Sequence, residues 1–134
     1  MTTKKFMLVN RKAPHGTVYA LEALEVALIS AAFEQDVSLA FIDDGVYQIT
    51  KGQDTTGIGR KNFSPIYRAL GDYEINKLYV EKESLEERGL RLEDLMELTW
   101  EDEDDDGVEK SSLHLVDRVA MTEIMAAQEV IISF

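Results

Sequence analysis

The sequence predicts an α/β fold, a parallel sheet with helices on both faces. Three observations predict it. Apolar runs too short for helices, such as Phe6-Met-Leu-Val9 and Val37-Ser-Leu-Ala-Phe-Ile42, alternate with segments of helical period. Such strands carry almost no polar alternation, as expected of strands buried on both faces. The chain has 134 residues, 45% of them apolar, enough for one domain with a real core (1–134).

The first strand spans Lys5 to Val9, and Asn10 to Gly16 is the loop after it, punctuated by Pro14 and Gly16. Thr17 is a suitable N-cap for a helix to about Glu34. Leu21, Leu24, Leu28 and Ala31 keep its 3.6 period, and four further alanines widen the apolar surface. A helix this apolar is expected either in the core or at a subunit contact.

The second strand, Val37 to Ile42, runs into Asp43-Asp44-Gly45-Val46-Tyr47-Gln48-Ile49, a short helical pattern. Thr50 to Gly59 reads as a glycine-rich surface loop, and its Gly57-Ile-Gly59 lacks the setting of a nucleotide fingerprint. Ser64-Pro65 opens two helical turns with Gly71 as their stop. Ile75 to Val80 is the third strand, and Ser84 caps a short helix ended by Gly89. A single helical turn is possible between Leu90 and Trp100.

Residues 101–106 are six consecutive carboxylates and read as a solvated loop that does not match a calcium-binding frame. Ser111 or Ser112 is expected to cap the last helix, with Leu113, Val116, Ala120, Ile124 and Ala127 as its apolar stripe. Glu129 to Phe134 closes the chain as a fourth strand. A fifth is possible near Leu98 to Trp100 or Gly107 to Val108.

Composition narrows the function. The formal charge of −12 disfavours nucleic acid as a direct partner and suits either a protein kept soluble by its charge or one that meets a basic surface. The chain has no cysteine, which excludes disulfides, thiolate metal sites and a thiol nucleophile. With two histidines, a zinc site would need carboxylates to complete it. There is no apolar run of membrane-spanning length, and the apolar run after Lys4-Lys5 is too short for a signal sequence. A cytoplasmic location, with no membrane or cofactor, is expected.

In an open α/β sheet, ligands gather at the C-terminal ends of the strands. There the sequence places Asp43 and Asp44, a candidate magnesium or phospho-acceptor pair. A receiver-type site needs its acidic pair after the first strand, where this chain has Asn10-Arg11. The plainer expectation is that one aspartate caps the following helix and the other is exposed or pairs across a subunit contact. His15, between Pro14 and Gly16, is a candidate general base or anion ligand, or else a loop-structuring or interface residue. His114 is expected to be structural, in the first turn of the last helix. A stand-alone small-molecule-binding enzyme would have to use His15, Asp43 and Asp44, yet no triad, phosphate loop or HExxH motif accompanies them.

Several motifs together resemble the DsrE/DsrF-like sulfur-relay family, most closely its TusC/DsrF branch. They are Ala13-Pro-His-Gly16, Phe41-Ile-Asp-Asp-Gly-Val-Tyr-Gln48, Gly52-Gln53, Ser84-Leu-Glu-Glu-Arg-Gly-Leu90 and Glu129-Val-Ile-Ile-Ser-Phe134. The acidic run is outside this pattern. The resemblance implies a three-layer α/β/α domain with a mostly parallel, about five-stranded sheet. It also implies a heterohexamer with two copies each of this chain, a DsrE/TusD-like subunit and a DsrH/TusB-like subunit. The DsrE/TusD type carries persulfide sulfur on a cysteine and passes it to a DsrC/TusE-like carrier. Counting back from Gly89 places that cysteine's position at or next to Glu81, where a carboxylate cannot carry sulfur. The resemblance therefore implies a non-catalytic subunit, serving intracellular sulfur oxidation or, alternatively, tRNA 2-thiouridine synthesis. Its candidate subunit-contact or edge residues are His15, Asp43, Asp44, Val46, Tyr47 and Glu81.

Overall fold

The computed structural model describes residues 3–58 and 62–134. Met1, Thr2 and Gly59 of the Gly57-Ile-Gly59 stretch lie outside them. Seven strands and three α-helices are described: β1 (Lys5–Asn10), α1 (Tyr19–Ala32), β2 (Asp36–Phe41), β3 (Leu78–Glu81), α2 (Lys82–Glu87), β4 (Thr99–Asp102), β5 (Val108–Ser111), β6 (Leu113–Val116), α3 (Arg118–Ala126) and β7 (Val130–Ser133). Five strands form one sheet in the order β6-β3-β2-β1-β7, and every pair in it is parallel. The predicted α/β class is therefore the observed one.

Both faces of this sheet are covered. On one, Leu8, Leu39, Phe41, Leu78 and Val80 pack against Leu24 and Ala27 of α1 and against Tyr67 and Leu70 of a 3-10 helix, Ser64–Tyr73. On the other, Met7, Val9 and Ala40 pack against Met121 of α3. The buried stripe of α1 is Ala20, Ala23, Leu24 and Ala27, with Leu28 and Ala31 only partly covered. Small side chains let this helix lie close to the sheet, so Ala20, Ala23 and Ala27 belong to the core, while Ala32 is exposed. The apolar surface that α1 exposes consists of Tyr19 and Ile29, joined by the flanking Val18 and Phe33.

Several local expectations are corrected. Thr17 does not cap α1; the cap position is Val18, without a side-chain hydrogen bond. Ser64 lies inside its helix, whose geometry is 3-10 and which runs past Gly71 to Tyr73. Gly71 serves a different purpose, since a Cβ there would collide with the Thr99 carbonyl of β4. Ser84 also lies inside its helix, and the residue before that helix is Glu81.

The largest correction concerns residues 111–116. Leu113–Val116 is the edge strand β6, and α3 starts only at Arg118. Its cap is Asp117, whose carboxylate accepts the Ala120 N–H at 2.8 Å. His114 is accordingly a strand residue, with its ring beside Tyr79. Residues proposed for a fifth strand, Thr99, Trp100 and Val108, do form strands, but in a separate antiparallel hairpin of β4 and β5. The acidic run is the end of β4 and the tip of that hairpin. There Asp102 accepts from Lys110 at 2.7 Å, which holds the Asp102 carboxyl below the usual carboxylate range.

Candidate functional site

Parallel alignment brings the C-terminal ends of β2, β3 and β6 to one edge. Each carries a candidate residue or its partner. After β2, the chain enters a 3-10 helix, Asp43–Ile49, through an Asp43 with φ of 51°. This left-handed conformation suits Asp better than most residues. Neither aspartate caps the helix with its side chain. Gly45 is required here, because a Cβ would overlap the Asn10 carbonyl at the end of β1.

Glu81 closes β3 and is only 6% exposed. A buried carboxylate must be paired and hydrogen-bonded, and Glu81 is both. Its Oε1 accepts from Ser84 Oγ at 2.7 Å and from Arg118 Nη2 at 3.0 Å. The same guanidinium reaches Glu87 at 3.3 Å, and Glu81 and Glu87 together raise the Arg118 pKa. The Arg118 N–H donates to the Glu83 carboxylate at 2.9 Å, which fixes the start of α3. Ser84 Oγ in turn accepts the Asp43 N–H at 2.9 Å. Arg88 completes the set: its Nε donates to Asp44 at 3.0 Å and its Nη1 to the Ser84 carbonyl at 3.1 Å.

The edge is therefore one network that ties the turns after β2, β3 and β6 together. Asp43, Asp44 and Glu81, distant in sequence, meet in it. The sequence shows Ser84 as a helix cap and Arg88 within the Ser84–Leu90 motif, but it gives no sign that either, or Arg118, joins this network. Arg118 is 37 residues from Glu81, and no local spacing signals that pair.

The remaining candidates lie elsewhere. Val46 is wholly buried in the core and has no surface to offer a partner. Tyr47 is half-buried, and its carbonyl accepts from Thr50 Oγ1 at 2.9 Å. The His15 ring stands edge-on to Phe63, 5.2 Å between centroids, and its Nε2 is enclosed with no hydrogen-bond partner. Below this loop, Gln48 donates to the Lys12 carbonyl and accepts from the Tyr67 hydroxyl at 2.7 Å. Burial pushes the Tyr67 phenol well up, so it stays protonated.

Chemically, the edge binds itself. Ser84 donates to a carboxylate, which is half of a nucleophile–base pair. Yet Ser84 is fully buried and its oxygen already accepts the Asp43 N–H, so no substrate reaches it. Among the described residues, no group of three His, Asp or Glu side chains is placed to hold a metal ion. No helix of the described residues is long and apolar enough to cross a membrane.

The model of the DsrE/DsrF-like family matches residues 4–133. The chain is 54% identical, over 98% of its length and 96% of the relative's, to "intracellular sulfur oxidation protein DsrF" of Allochromatium vinosum. A TusC homologue of Vibrio parahaemolyticus is 38% identical over 64% of this chain and 73% of its own. Among solved structures, the ychN protein of E. coli superposes with a TM-score of 0.75, covering 98% of this chain and all of that one, at 17% identity. At that identity the likeness speaks for the fold alone.

Proposed function

We propose a role that starts from one fact: the chain belongs to the DsrE/DsrF-like family. The chain is a non-catalytic subunit of a cytoplasmic sulfur-relay complex that serves intracellular sulfur oxidation. The observation that carries this reading is the 54% identity to the DsrF protein over nearly the whole of both chains. The TusC homologue aligns with about two thirds of this chain, which favours sulfur oxidation over tRNA thiolation.

Persulfide chemistry needs a thiol, and this chain has none. The sulfur-carrying cysteine therefore belongs to a DsrE/TusD-like partner, with a DsrH/TusB-like subunit completing a heterohexamer of two copies each. A DsrC/TusE-like carrier receives the sulfur. At Glu81 this chain has a buried, ion-paired carboxylate, which suits an architectural task. The surfaces offered to partners are the exposed side of the edge, with Asp43 and Asp44, the half-buried His15 and Tyr47 apart from it, and the apolar residues Tyr19, Ile29 and Phe33 on and beside α1.

Reconstitution tests the role. Purified DsrE-like and DsrH-like subunits, loaded with persulfide, are mixed with the carrier protein with and without this chain. Transfer should depend on this chain being present while no sulfur label ever appears on it. Transfer at the same rate without it would refute the proposal.

A further inference from the structure

The edge strand β6 carries a surface that the network above does not use. Ser112 accepts the Leu78 N–H at 3.0 Å, so strand alternation turns the backbone groups of Leu115 away from β3, toward the open side of the sheet. Leu113 and Leu115 line a groove of about 710 Å³ beside that side, with Leu92, Leu95 and Met96 as further apolar walls. Leu92 and Leu115 are 53% and 43% exposed there. An open, apolar edge of this kind is a template for an added strand.

A second cleft, of about 420 Å³, lies between the β4–β5 hairpin and the 3-10 helix before it, with Trp100, Glu101, Glu103 and Glu109 on the hairpin side. The two meet at one rung of the hairpin: Ser111 lines the groove, Thr99 lines the cleft, and these residues pair across β4 and β5. The cleft is lined by five carboxylates, Asp72, Glu74, Glu101, Glu103 and Glu109, against one base, Arg68, whereas the groove sets Glu93 and Glu97 beside Lys51 and Arg91.

We infer that this groove and cleft form one docking surface for an extended segment of a partner protein, apolar at alternate residues beside β6 and rich in Lys or Arg where it enters the cleft. Backbone pairing at Leu115 and leucine contacts supply affinity, the Leu113 N–H being held already by Ser111 Oγ at 3.2 Å. The carboxylates select the charge and direction of the segment, and Trp100 offers a ring to a cationic head. The same field repels nucleic acid. The inference rests on the reading of this chain as a subunit of an assembly.

Photo-crosslinking in the co-expressed complex tests it. Benzoylphenylalanine replaces Leu115 in one variant and Glu103 in another. Both are exposed positions, so the fold tolerates them. Both crosslinks should map to one segment of one partner, with basic residues at the Glu103 end. Reversing charge through Glu101→Lys, Glu103→Lys and Glu109→Lys should lower the Leu115 crosslink at least tenfold. An intact complex without these crosslinks, or with crosslinks to two unrelated partners, overturns the docking surface alone. A chain that forms no complex overturns this inference together with the proposed function.

Discussion

Replacing Ser84 with alanine tests whether the network at the sheet edge holds the fold together. Ser84 Oγ donates to Glu81 at 2.7 Å and accepts the Asp43 N–H at 2.9 Å, and the residue is fully buried. A hydrogen bond to a charged group contributes about 1.5–3 kcal/mol, and an orphaned N–H costs about 1 kcal/mol or more. Glu81 keeps its Arg118 partner, which limits the loss. Alanine recovers roughly 0.5 kcal/mol through its higher helix propensity. The net loss is about 2–3 kcal/mol, or roughly 8–12 °C in Tm for a domain of this size. Urea unfolding followed by circular dichroism measures it. Thr122→Ala is the control, because that hydroxyl is exposed and only back-bonds to the Arg118 carbonyl within its helix. A Ser84→Ala loss below about 0.5 kcal/mol, no larger than the control, would refute the reasoning.

Other outcomes follow from the same structure. Gly45→Ala should destabilise the chain by about 3 kcal/mol or more, since the new methyl overlaps the Asn10 carbonyl; thermal melts check this. Tyr67→Phe should cost about 1–3 kcal/mol by leaving Gln48 Oε1 without its buried donor, read by the same urea titration. Lys110 depresses the Asp102 pKa, so the stability from that pair is present above the unfolded value of about 3.9 and is lost as pH falls through the lower folded one. Comparing urea midpoints at pH 5 and pH 3, Lys110→Met should lower the pH 5 midpoint and so show a smaller drop than the parent. An unchanged drop would show that the pair contributes nothing.

The sequence made the long, strongly patterned elements legible. β1, β2 and β7 were visible because uninterrupted apolar runs leave few alternatives, and α1 because fourteen residues sample several turns. The apolar pattern of residues 113–127 misled because Leu113 and Val116 are three apart, a spacing a helix and a short strand can share. Pairing with β3 decides for the strand, and Asp117 then supplies the cap. Positions in β4 and β5 were legible as a possible fifth strand near Leu98 to Trp100 or Gly107 to Val108, but their pairing as a hairpin was hidden by carboxylates that break any apolar alternation. At the edge, Asp43, Asp44 and Glu81 were visible as residue types at strand ends. Their linkage through Ser84, Arg88 and Arg118 was not, because it depends on parallel register between β2, β3 and β6.

Native mass spectrometry of the chain co-expressed with DsrE-like and DsrH-like subunits tests the central claim most directly. The account predicts one species with two copies of each of the three subunits, including two of this 15.2 kDa chain. A chain recovered only as a free 15.2 kDa monomer, beside partners that assemble without it, would contradict the account.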